Sequence, residues 1–63
     1  MKLFKVNYMD DYETDSFLTV GNSIEEVKER VERELSKDLL CYMGSWVHEI
    51  DEVDGYKVTV EKL

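Results

Sequence analysis

The segment "GNSIEEVKERVEREL" (21–35) is the one stretch with an amphipathic helical pattern, and one helix shields at most one face of the sheet that the remaining residues build. Its start is marked by Ser23 followed three residues later by Glu26, a capping box, with Glu25 and Glu26 both favoured in the first turn by the helix dipole. At about 100° per residue, Ile24, Val27, Val31 and Leu35 fall within roughly 80° of arc, a single apolar stripe. The rest is charged, and Glu26–Arg30 and Glu29–Arg33 stand at the stabilising i,i+4 spacing. A helix from 24 to about 36 is roughly 20 Å long and matches a six-residue strand. Leu39 continues the stripe, so the helix is expected to run on as far as about residue 40, with Gly44 its latest stop.

The flanks read as strands. "KLFKVNYM" (2–9) alternates Phe4, Val6 and Tyr8 against Lys5 and Asn7, the period of a half-buried strand. The acidic "DDYETD" (10–15) reads as a loop and "SFLTV" (16–20) as a second strand. A turn centred near Tyr12 pairs Val6 with Leu18 and Phe4 with Val20, leaving Phe17 and Thr19 on the reverse face. In "EIDEVDGYKVTV" (49–60) a two-residue Asp54-Gly55 turn would set Asp51 and Glu49 opposite Val58 and Val60. A three-residue loop, Val53-Asp54-Gly55, instead pairs Ile50 with Val58, His48 with Val60 and Glu52 with Tyr56. It also sets Asp51 against Lys57 and Glu49 against Thr59 on the other face. Because burying bare carboxylates is expensive, the three-residue loop is expected. Trp46, His48, Ile50, Val58 and Val60 then line the core side, with Tyr56 at its margin. The expected fold is α+β, a single domain over 1–63 in the order β-β-α-β-β, with a four-stranded, mainly antiparallel sheet and the helix on one face. Strand order stays open.

At 63 residues the chain is near the lower limit for folding without a staple. The single cysteine, Cys41, excludes an internal disulfide, and no Cys/His cluster offers a structural metal site. Stability then rests on a small apolar core, assisted by self-association, and a homodimer is expected. Fifteen acids against eight bases give a formal net charge of −7, which argues against direct nucleic-acid binding and suits a basic protein partner or simple solubility. No apolar run reaches the roughly 18 residues of a membrane span, and "MKLFKV" lacks a signal peptide's apolar region. An unpaired cysteine fits a reducing compartment, so the cytoplasm is the expected location.

No residue set reads as catalytic, cofactor-binding or metal-binding. His48 is the only histidine, but strand alternation points Glu49 and Asp51 away from it. Cys41 lacks a local positive charge to lower its pKa and is expected to pack as a small apolar residue. "DDYETD" lacks the spacing and central glycine of a calcium loop. The cluster "DLLCYMGSW" (38–46) closes one end of the core or leaves Tyr42, Met43 or Trp46 exposed as a contact hot spot. Over roughly the first 35 residues, the order of strand, acidic loop, strand and "S-x-E-E" helix resembles the plan of many small bacterial and bacteriophage proteins, a likeness that carries no functional residue across. The expected function is therefore protein binding without catalysis. A sharper alternative is mimicry of nucleic acid toward a basic DNA- or RNA-processing enzyme, with Asp10, Asp11, Glu13 and Asp15 and the row Glu49, Asp51, Glu61 standing in for phosphates.

Overall fold

The alternating "KLFKVNYM" forms an eight-residue strand, β1 (Lys2–Met9), in a computed structural model that describes residues 1–10, 13–38 and 41–63. It is followed by β2 (Thr14–Gly21), α1 (Ile24–Asp38) and β3 (Gly44–Glu49). β1 is the middle strand of a three-stranded sheet of order β2-β1-β3, antiparallel to both neighbours. β2 and β3 thus run parallel to each other, and α1 makes the crossover between them. A short hairpin, β4 (Glu52–Val53) and β5 (Tyr56–Lys57), pairs only with itself. The fold is α+β, but the expected four-stranded sheet is a three-stranded sheet with a separate hairpin. That hairpin extends the molecule to 36 × 22 × 21 Å and its radius of gyration to 12.8 Å, above the roughly 10.6 Å of a compact chain this long.

The helix begins where its capping residues require. The Glu26 amide donates to Ser23 Oγ (3.2 Å), and the Glu26 carboxylate reaches back to the Asn22 amide (2.8 Å), one residue earlier than in the standard box. Arg30 does not stay with Glu26: its Nη2 crosses to β2 and donates to Thr19 Oγ1 and the Val20 carbonyl, each at 2.8 Å. The stripe faces the sheet as its spacing requires, with Val27 and Val31 buried and Ile24 and Leu35 half-buried. Leu39, the expected continuation, lies outside the described residues. Ser23→Ala should lower stability by about 1 kcal/mol, read as a fall of roughly 4–8 °C in Tm, whereas Ser23→Asp keeps the cap and the Tm.

Phe4 and Val6 of β1 complete the core with Val27 and Val31, and Val47 of β3 packs against its edge. Around this centre both flanking strands turn the opposite parity to that expected. β2 pairs Val6 with Phe17 and Phe4 with Thr19, so Phe17 and Thr19 share the helix side while Leu18 and Val20 face away. The connection between Met9 and Thr14 has an even number of residues, closed by the Asp10 amide on the Glu13 carbonyl (3.2 Å); the expected centre at Tyr12 lies outside the described residues. On the helix side Gly21 is buried, and a methyl group there would overlap Val27 Cγ2. The close strand–helix approach thus needs Gly21 inward.

β3 pairs Val6 with Val47, Phe4 with Glu49 and Lys5 with His48. Ser45, Val47 and Glu49 therefore lie on the helix side, and Trp46 and His48, expected inward, face away. The second turn is also the shorter one: Glu52 pairs with Lys57 and Val53 with Tyr56, leaving Asp54 (φ 53°) and Gly55 (φ 84°) in left-handed geometry, the two-residue turn that matches strand twist. Residues 51–57 are all exposed, so the acids of this hairpin meet water on either face and no desolvation cost selects the register. The expected pairings of Ile50 with Val58 and of His48 with Val60 do not form: the Val58 amide donates to the Asp51 carbonyl (2.9 Å), and Ile50, Val58 and Val60 line a cleft away from the helix instead of the core side.

Candidate interaction surface

The face of the three-stranded sheet opposite α1 is composed by register. Lys5 lies between Leu18 of β2 and His48 of β3, and Asn7 between Ser16 and Trp46. At one end Leu3 stands opposite Val20, and the Ile50 amide donates to the Leu3 carbonyl (2.8 Å). Half-buried Val58 and Val60 of the C-terminal segment approach that end, where Leu3, Ile50, Val58 and Val60 line a cleft of about 240 Å³. The centre and the other end stay open: Leu18 is 61% exposed and Trp46 55%. Among the described residues of the three strands, none of the side chains on this face is a carboxylate, although the chain holds fifteen. The described acids lie on α1, in the connections, the hairpin and the C-terminal segment, and, as Asp15 and Glu49, on the helix side of β2 and β3. Among the described strand residues Lys5 is the one lysine or arginine on this face, with His48 directly across from it on β3.

The hot-spot candidates separate. Trp46 lies on the open face, and Met43, 63% exposed, lies just before the start of β3, its amide donating to the Met9 carbonyl (2.9 Å). Tyr42 turns the other way. Its hydroxyl donates to Glu32 Oε2 (2.5 Å) and is hydrogen-bonded to Ser45 Oγ (2.9 Å); with one proton to give, the phenol takes the Ser45 bond as acceptor. Burial first, then the Glu32 carboxylate, pushes the Tyr42 phenol above its ordinary value. Tyr42 ties the approach to β3 onto α1 and is a structural latch. Cys41, expected to pack, is exposed.

The acidic candidates are not brought into one row. Asp10, Glu13 and Asp15 gather near the β1–β2 connection, where Asp10 Oδ1 accepts the Glu13 amide (3.0 Å) and Asp15 Oδ1 the Ser16 amide (2.8 Å). Desolvation, then the negative field of Asp15, Asp10 and Glu13, raises the Tyr8 phenol above its usual value. Asp11 lies outside the described residues. Glu49 stands toward the opposite end of β1 with Lys2 Nζ 3.7 Å from its Oε1. Asp51 and Glu61 are exposed beyond it, in the approach to the hairpin and in the C-terminal segment. Among the described residues there is no group of three or more His, Cys, Asp or Glu side chains placed to hold a metal ion, and no helix is long and apolar enough to cross a membrane.

A groove of about 540 Å³ runs between α1 and the outer edge of β3, lined by Lys28, Glu29 and Glu32 on one side and Ser45, Trp46 and Val47 on the other. One uncovered sheet face follows from a single helix, but its membership and this groove depend on strand order and parity: Phe17, Thr19, Val47 and Glu49, on the outer face by the expected register, lie on the helix side. The signal available was the double apolar character of "SFLTV", in which both parities carry large side chains. No family model, curated protein or solved structure matches this chain.

Proposed function

We propose that this protein is a small binding module that contacts another protein through the sheet face opposite α1. The observation that carries the reading is the absence of carboxylates among the described strand residues of that face in a chain of net charge −7, together with the exposure of Leu18 and Trp46 at its centre. Solubility alone favours acids on any wet surface. A wet sheet face that instead carries Leu18, Trp46 and the aliphatic stem of Lys5 has the make-up of a contact patch, with an aromatic anchor and a depleted charge. Its partner is a largely apolar surface carrying a carboxylate to meet Lys5 and His48, rather than the basic surface that net charge alone suggests.

The test is affinity capture from the source cell with three proteins: the native chain, Leu18→Lys, and an acid-stripped Asp10→Asn/Glu13→Gln variant. Leu18 is exposed, so Leu18→Lys should fold normally. A protein held by the native chain and the acid-stripped variant, and lost at least tenfold with Leu18→Lys, supports the reading. The reverse pattern overturns it in favour of the acidic loop.

A further inference from the structure

The two outer edges of the sheet are finished differently. Two of the outward-directed backbone groups on β2, one toward each end of the strand, are taken up by the chain's own side chains: the Ser16 amide by Asp15 Oδ1 (2.8 Å) and the Val20 carbonyl by Arg30 Nη2 (2.8 Å). Such capping is how natural sheets blunt an edge against further pairing. On β3 the bond from the Ile50 amide to Leu3 fixes which groups point inward. By the alternation of an antiparallel ladder, His48 and Trp46 also turn their amides to β1, and Ser45, Val47 and Glu49 turn theirs outward. Among the described residues nothing caps these three, the strand carries no proline or lysine, and the edge borders the open groove against α1.

We propose that β3 pairs with β3 of a second copy of this chain, antiparallel about a two-fold axis at Val47, to make a continuous six-stranded sheet. The strand is self-complementary in this register. Val47 meets Val47 of the partner, Ser45 meets Glu49 of the partner, and on the open face Trp46 meets His48 of the partner. No like charges stand opposite one another, and the aromatic–imidazole contact is made twice. About six backbone hydrogen bonds form, and the two uncovered faces become one surface. A C₂ contact of this kind closes on itself and leaves the partly capped β2 edges outermost. The backbone edge that pairs is separate from the centre of the face assigned to partner binding, with Trp46 and His48 bordering both, and its assignment does not rest on that reading.

Sedimentation velocity on the full chain, from micromolar to millimolar, should show a monomer–dimer equilibrium that tightens as NaCl rises from 50 to 500 mM, because salt screens the repulsion between two chains of charge −7. Amide hydrogen exchange on the native protein should show the Ser45, Val47 and Glu49 amides gaining at least tenfold protection over the same concentration range. Val47→Pro removes an outward amide while leaving the β1–β3 ladder its donors, and should weaken dimerisation at least tenfold with the far-ultraviolet spectrum unchanged. If that variant unfolds, the exchange measurement on the native chain decides. A monomer throughout, or a dimer whose outward β3 amides exchange freely, overturns the proposal. A Leu18→Lys protein that loses its cellular partner yet keeps the dimer separates the two readings.

Discussion

Phe4→Ala should leave the chain unfolded at room temperature. Only Phe4, Val6, Val27 and Val31 form the buried apolar core among the described residues, and Phe4 is its largest side chain. Truncating a buried phenylalanine costs about 3–5 kcal/mol, whereas a domain of this length holds about 3–9 kcal/mol in total. Little packing remains to absorb the loss, since Ile24, Leu35 and Val47 are only half-buried around it. The measurement is urea denaturation followed by circular dichroism, with Phe4→Leu as the partner that keeps most of the volume and the fold. Leu18→Ala is the decisive control. If β2 had the parity its sequence suggests, Leu18 would lie under the helix and its loss would cost about 2–5 kcal/mol. With Leu18 facing away, the change stays within about 0.5 kcal/mol. A cooperative, stable Phe4→Ala protein, or a strongly destabilised Leu18→Ala, would place the core on the wrong side of the sheet.

That comparison also locates what could be read from the residues. β1 and α1 were legible because each presents its period without competition: Phe4, Val6 and Tyr8 against lysine and asparagine, and Ile24, Val27, Val31 and Leu35 against a charged remainder. In β2 and β3 the more apolar parity is the one that faces away. Phe17, Thr19 and Gly21 make a weak inward signal beside Leu18 and Val20, and Ser45, Val47 and Glu49 a weaker one beside Trp46, His48 and Ile50. A buried glycine has no side chain to register in an apolar pattern, so the position that most tightly fixes β2 against α1 was invisible. The strands that misled a one-core reading are those that carry the proposed contact surface and the uncapped edge. This conflict is expected where residues are retained for something other than the core.

Gly21→Ala should destabilise the protein by about 1–3 kcal/mol, the cost of forcing one extra methyl into a packed site, and Val27→Ala should undo part of that loss. Gly21 is buried at the end of β2, and the methyl group of an alanine would occupy the space of Val27 Cγ2. No positive φ is involved, so the cost is steric and has a single address. Val27→Ala alone opens a cavity costing about 2 kcal/mol. In the double variant the alanine methyl at 21 moves into volume vacated at 27, and each substitution lessens the harm of the other. The double loss should therefore fall short of the sum of the single losses by about 1 kcal/mol or more, within the usual range for residues in contact. Urea midpoints for the four proteins give the coupling directly, provided the m-values agree. Strict additivity would mean that Gly21 and Val27 do not touch. With β2 one residue out of register, Leu18 and Val20 would return to the helix side and the apolar face assigned to partner binding would no longer exist.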